Sequence, residues 1–215
     1  MSTRFASVAV TFGMACALVI GGCRGRDTAR SSADSQEAHI REVVAAGGVV
    51  DSILPIAEQL RRFRVDVPER PDSLRDGGTS IDALVRRWGR AVAGSDTTAL
   101  NAMTLTRSEF AWIYYPGSKL SKPPYEAPPQ LLWAQILANS DGGARQLIQR
   151  FGGSRFDVLS VSCPPASDTT VSSRVYTDCR VRVRVADGVV PEDRLFGSIV
   201  EHQGRFKFLG YTNSL

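Results

Sequence analysis

The spacing of apolar residues along this chain changes character three times. Phe5 to Gly22 is an unbroken run of 18 apolar or small residues, with Arg4 the only charge before it. Residues 24–35, RGRDTARSSADS, then carry no aliphatic side chain larger than Ala and hold too little apolar area to form a core. From Ile40 to Phe151 apolar positions recur at three and four residues, the period of a helix. The pattern predicts a short helix over 36–46, ended by Gly47-Gly48, and a second over 53–63, capped by Asp51 or Ser52 with Pro55 tolerated in its first turn. Pro68, Pro71 and Gly77-Gly78 mark 64–79 as a loop. The strongest helix follows Ser80, an N-cap residue. Ile81, Leu84, Val85, Trp88 and Val92 form one stripe, Arg86, Arg87 and Arg90 lie off it, and Gly94 closes it. Ser95 or Asp96 caps a further short helix with Leu100 and Met103 inward. Thr106-Arg-Ser-Glu109 has the capping-box spacing ahead of the aromatic run Phe110–Tyr115. Five prolines from Pro116 to Pro129 predict irregular chain, after which helices are expected over 130–139 and 143–151.

Beyond Arg155 the period becomes two, with strands expected at 155–163, 173–186, 194–202 and 205–212. Asp187-Gly188 would begin the loop before the third strand, and His202-Gln-Gly-Arg205 would be a tight hairpin turn. Helices followed by an antiparallel meander predict an α+β fold, with N-terminal helices packed on an antiparallel sheet of about four strands. Trp88 should be buried against that sheet, facing Leu159, Val161, Val181, Val183 and Phe206 or Phe208.

Composition adds the compartment. The 215 residues are 43% hydrophobic and 22% charged, which excludes disordered, collagen-like and polytopic membrane classes. The net charge is only +4, and 23 of the 26 basic residues are Arg, a bias that follows codon composition more readily than function. A basic start, an apolar run and small residues at its end read as an export signal over 1–22. Ile20-Gly21-Gly22-Cys23 resembles the bacterial lipobox. That resemblance implies a lipoprotein cleaved before Cys23, with Cys23 carrying lipid, the membrane as a partner through its acyl chains, and 23–35 as a tether. Arg24 rather than Asp after the Cys favours the outer over the inner membrane of a bacterial envelope. The apolar run is just long enough for the competing reading, an uncleaved anchor.

Of the four Cys, Cys16 would leave with the signal and Cys23 would carry lipid. Cys163 and Cys179 remain, an even pair suited to an oxidising compartment. Cys163 ends one alternating run and Cys179 begins the next. Folding the segment about residue 171 places them opposite each other, which predicts a cross-strand disulfide.

The order of a long helix, a Gly-Ser-Asp turn into a short helix, an aromatic segment and four antiparallel strands resembles the nuclear transport factor 2-like superfamily, which includes the SnoaL-like proteins. Leu84-Val-Arg-Arg-Trp-Gly-Arg-Ala-Val-Ala-Gly-Ser-Asp96, followed by Leu100, carries the likeness, which extends over about 80–213. It implies a curved, cone-like sheet wrapped around the helices, with a cavity, in a domain spanning 80–215. Residues 36–79 would form a helical segment ahead of that domain, and 116–129 a proline-rich insertion. Enzymes of that fold place an acid or base inside the cone.

Few residues here suit that work. The chain has two His, and both His39 and His202 are expected in solvent. Asp82 and Glu109 read as first-turn or solvated carboxylates, and Glu126 as a residue near a cleft. No nucleophile, phosphate-loop, dinucleotide or metal motif is present, so no cofactor or metal site is expected. Trp112, Tyr114, Tyr115, Tyr125 and Trp133 fall within 22 residues. They read either as a plug for the cone's mouth or as a pocket for an apolar or sugar-like ligand; adjacent Tyr114 and Tyr115 need only one ring in the core. Arg180, Arg182 and Arg184 alternate with Val181, Val183 and Val185, so an Arg stripe, with Lys207, should lie on the solvated face of the sheet. Nucleic acid is excluded as a partner by the expected compartment. The reading favoured is an envelope lipoprotein whose domain binds a small ligand or an envelope protein without catalysis. The alternative is a SnoaL-like hydrolase or isomerase.

Overall fold

The computed structural model describes residues 38–39, 41–43, 45–47, 54–67, 69–170 and 173–214. The expected signal, the Cys23 lipid site and the tether lie outside the described residues. The chain divides into two units, Met1–Ile53 and Leu54–Leu215. In the first, the described positions from 38 to 45 are helical. The second begins well before residue 80: Phe63 and Leu74 are buried in its core, and Gly78 exchanges two backbone hydrogen bonds with Phe206, at 2.8 and 2.9 Å. Residues 54–79 are therefore part of the compact unit.

Helix α1 is Ile56–Val65, preceded by Pro55 rather than by a side-chain cap. Helix α2, Ile81–Ala93, begins where Ser80 Oγ accepts from the Ala83 amide at 3.1 Å and buries the expected stripe. Helix α3, Thr97–Ala102, is capped by Asp96. Thr106 and Glu109 form the capping box, and the chain then widens into a π-helical turn over Phe110–Tyr114 before two 3-10 turns, Tyr115–Gly117 and Lys119–Ser121.

The two helices expected over 130–151 are one. Helix α4 runs unbroken from Pro129 to Phe151 through Gly142-Gly143. Tertiary contact overrides the local stop. The Tyr211 backbone carbonyl lies so close to Gly143 that a β-carbon there would overlap it. Asn213 Nδ2 donates to the Gly143 carbonyl at 3.0 Å, and the Tyr211 amide donates to Ser140 Oγ at 3.3 Å. Gly143 is thus a docking notch for the C-terminal segment.

Among the described residues, seven antiparallel strands replace the expected four, in two sheets rather than one. Strands β1 (Phe156–Ser162), β4 (Arg180–Val185) and β5 (Gly188–Asp193) form the first, in the order β1-β4-β5. Strands β2 (Asp168–Thr169), β3 (Ser173–Tyr176), β6 (Ile199–His202) and β7 (Arg205–Phe208) form the second, in that order. The long strand expected over 173–186 breaks at Thr177–Cys179, where Asp178 has φ 56°. The loop expected after Asp187 is β5, and 194–198 is loop. The folding point near residue 171 holds for both sheets. Ser162 pairs with Arg180 in one and Thr169 with Arg174 in the other. One two-stranded ribbon therefore passes from sheet to sheet, and the Cys163–Cys179 disulfide, with Cα atoms 4.1 Å apart, clasps it where it crosses. The fold is α+β, as expected, with helices packed on antiparallel sheet and, among the described residues, no closed barrel.

Two hydrophobic cores flank the second sheet. Ile199 and Phe208 belong to the first, with α2, Leu147 and Phe151 of α4, and Val181 and Val183 of β4. Val200, adjacent to Ile199 and so on the opposite face, belongs to the second, with Phe63, Leu74, Leu105, Phe110, Tyr114 and Tyr115. Trp88 is fully buried at the centre of the first core, with ring centroids 5.4 Å from Phe156 and 5.2 Å from Phe196. Its Nε1 has no hydrogen-bond partner among the described residues, a cost offset by edge-on packing against the two rings. Leu159, expected to face Trp88, stays out of that core. The register of β1 against β4 shifts between Val158 and Ser160, so Phe156 and Val158 share the core face with Val161 and Cys163.

The neighbouring glycines of α4 provide a test. Gly142→Ala, with nothing near its β-carbon position, should stabilise the protein by up to about 1 kcal/mol through helix propensity. Gly143→Ala should instead destabilise it by about 1–3 kcal/mol through overpacking. Urea unfolding of both variants reads the difference; equal effects would contradict the docking role. Replacing Cys163 and Cys179 together by Ser should cost about 2–4 kcal/mol in the same measurement.

Candidate functional site

The five aromatic residues expected around one pocket take three different environments. Tyr114 and Tyr115 are both buried, contrary to the expectation of one. The π-helical turn explains this. The Tyr115 amide reaches back to the Phe110 carbonyl, and the widened turn is enclosed by the second core on most sides. The Phe110 ring lies 5.1 Å from Trp133, 5.6 Å from Tyr115 and 5.9 Å from Tyr114. Tyr115 Oη donates to the Ala127 carbonyl at 2.7 Å, and burial pushes both phenols above their ordinary pKa. Tyr125 is exposed. Trp112, half-buried, lines a surface cleft.

That cleft, of about 520 Å³, is bounded by Arg70, Asp72, Trp112, Ile113, His202 and Gln203. Trp112 is fixed by its Nε1, which donates to the Val67 carbonyl at 3.2 Å. Arg64 donates twice to the Ala111 carbonyl, and its guanidinium lies 3.9 Å from the Trp112 ring centre. The Arg70 guanidinium is 5.4 Å from the same ring. Burial, and then the nearby Arg70 charge, lowers the Arg64 pKa. His202 was expected in solvent at a hairpin edge. It is instead 8% exposed, and its Nδ1 shares a 2.9 Å hydrogen bond with Ser173 Oγ on the paired strand β3. Its face of the sheet is the Val200 face, covered by the second core.

The same covering corrects Lys207 and Glu109. Lys207, expected beside the Arg stripe in solvent, is 1% exposed, and its Nζ lies 2.8 Å from Glu109 Oε2. Glu109 caps its helical turn as expected but is buried rather than solvated. Its carboxylate accepts from the Arg75 amide, the Thr106 amide and Lys207 Nζ, each at 2.8 Å. The loop 66–79, the helical turn and β7 thus meet at one carboxylate. A cue was present in the sequence: Ile199-Val200 places large aliphatic residues on both faces of one strand, which marks a strand covered on both sides.

The remaining candidates are at the surface. Arg180, Arg182 and Arg184 are exposed on β4 while Val181 and Val183 are buried, as alternation required. Asp82 pairs with Arg86, and His39 and Glu126 are exposed. A second cleft, of about 420 Å³, lies between α4 and the C-terminal segment, lined by residues including Asn139, Asp178, Arg194 and Ser198. Among the described residues no group of three or more His, Cys, Asp or Glu is placed to hold a metal ion. No protein-family model, curated protein or solved structure matches the chain.

The buried Glu109–Lys207 pair has a measurable signature. Lys207→Met leaves the Glu109 carboxylate buried without its cation and should cost about 3–5 kcal/mol. Adding Glu109→Gln in that background should recover part of the loss, because the remaining amide oxygen can still accept a backbone N–H. A double variant less stable than Lys207→Met alone, by urea unfolding, would contradict a coupled pair.

Proposed function

We propose that this chain is an exported lipoprotein of a bacterial envelope, anchored through Cys23, whose unit Leu54–Leu215 is a non-catalytic binding module. The reading starts from Ile20-Gly21-Gly22-Cys23 at the end of the apolar run. The Cys163–Cys179 disulfide supports it, since such bonds persist in oxidising compartments. Arg24 favours the outer membrane.

The observation that carries the binding reading is the filled interior. An enzyme of the nuclear transport factor 2-like kind would need its acid or base in a cavity between helix and sheet. Here that space holds Trp88, Phe156, Phe196, Phe208 and Tyr211, all buried. The likeness to that superfamily remains our reading of the architecture, supported by α2 lying against β1. Recognition is then assigned to the surface, with the Trp112–His202 cleft as the leading site for a small ligand and the Arg180–Arg184 face as the alternative for an envelope protein. His202 is the one observation in favour of the hydrolase or isomerase alternative, because it brings an imidazole to a cleft.

Globomycin, which blocks lipoprotein signal cleavage, should make the precursor accumulate, and Cys23→Ser should abolish acylation, seen by intact mass. An unmodified N-terminus in the membrane fraction would refute the anchor. Hydrolysis or isomerisation that is lost in His202→Gln while the fold is retained would replace the binding reading by the enzymatic one.

A further inference from the structure

We propose that the cleft beside Trp112 binds a small oxyanion of low charge, a carboxylate or a phosphodiester, between the Arg70 guanidinium and the His202 ring. Two guanidinium groups, Arg64 and Arg70, converge on one indole at 3.9 and 5.4 Å. Among the described residues neither has a carboxylate within ion-pair distance, although ion pairs form close by, Arg107 with Asp66 and Arg75 with Glu69. Like charges gathered around one partly buried indole repel each other, and an anion beside them removes that cost. Arg64 is committed to the Ala111 carbonyl, so Arg70, exposed at the rim, is the mobile donor. A guanidinium offers the paired N–H geometry that carboxylates and phosphates accept.

His202 is an independent observation. It is more than nine-tenths buried and lines the same cleft from β6. Ser173 occupies Nδ1, which leaves Nε2 as the ring atom for a ligand. With the Trp112 indole N–H held by Val67, the polar contacts offered to the cleft come from His202, Arg70 and Gln203. Asp72 stands exposed on the same rim without pairing to Arg70. Its charge opposes multiply charged anions, which selects ligands of low charge. The inference does not depend on the lipid anchor, and it extends the binding reading by naming the ligand chemistry and the residues that hold it.

The test uses the full chain in zwitterionic detergent micelles, with the indole N–H resonance of Trp112 as the readout. The probes are acetate, dimethyl phosphate, and phosphatidylglycerol doped into the micelles, each against chloride at equal ionic strength. At least one probe should shift the resonance saturably. Arg70→Gln should weaken that binding by about tenfold, with Arg70→Lys between the two and thermal stability unchanged, since Arg70 is exposed. His202→Gln should also weaken binding. A response to phosphatidylglycerol alone assigns the anion to a lipid headgroup, and a response to the soluble probes assigns it to a free ligand. No saturable shift with any probe, or binding undiminished in Arg70→Gln, would overturn the proposal.

Discussion

The second sheet is covered on both faces, and the Glu109–Lys207 ion pair is the point on which that covering depends. Lys207 alternates with Phe206 and Phe208, so its side chain must enter whatever lies on the opposite face of β7. There it meets a carboxylate already holding two backbone amides from different segments. A charge taken out of water must be matched in place. The match joins the loop 66–79, the turn before the aromatic run and the last strand. Without it the second core would lose its registry against the sheet, and Trp112 and His202 would lose their common frame.

The first core follows a simpler rule. It is an aromatic and aliphatic filling between α2, α4 and the strands, centred on Trp88; among the described residues the buried ion pair, Glu109 with Lys207, lies on the other side of the second sheet. The division of labour is physical. Apolar burial supplies bulk stabilisation without direction, whereas the buried pair and the disulfide are directional and fix which segment sits where. The disulfide acts where the ribbon leaves one sheet for the other, a place with few ladder hydrogen bonds to hold the crossing.

On the proposed reading recognition falls to the surface, because the described core between helix and sheet is filled by Trp88, Phe156, Phe196 and Phe208. The Trp112–His202 cleft lies at the border of the second core, where a covered strand ends in a hairpin and the covering loop stops short. Polar groups there are fixed from behind by Ser173, Val67 and Ala111, so the proposed ligand would meet donors that are already oriented.

Local chemistry alone determined much of this protein. Ser80, Asp96 and the Thr106–Glu109 box start their helices because an N-cap needs only its own next turn. The Cys163–Cys179 pairing was legible because a hairpin register is counted along the chain, and it held even though the strands between the cysteines joined a second sheet. The apolar stripe of α2 identified Trp88 as core. Tertiary structure decided the rest. Two helices were expected on either side of 140–142, yet one helix runs through, with Gly143 packed against the Tyr211 backbone. Lys207 and His202 were both expected in solvent; the pairing of β6 with β7 puts them on one face, and that this face is covered depends on segments about 100 residues away in the chain. The five aromatics near the prolines were one cluster in sequence; in space the π-helical turn sent Tyr114 and Tyr115 inward and left Trp112 at the cleft. Spacing along a chain reports the direction a side chain takes from its own element, and only packing decides what it meets there.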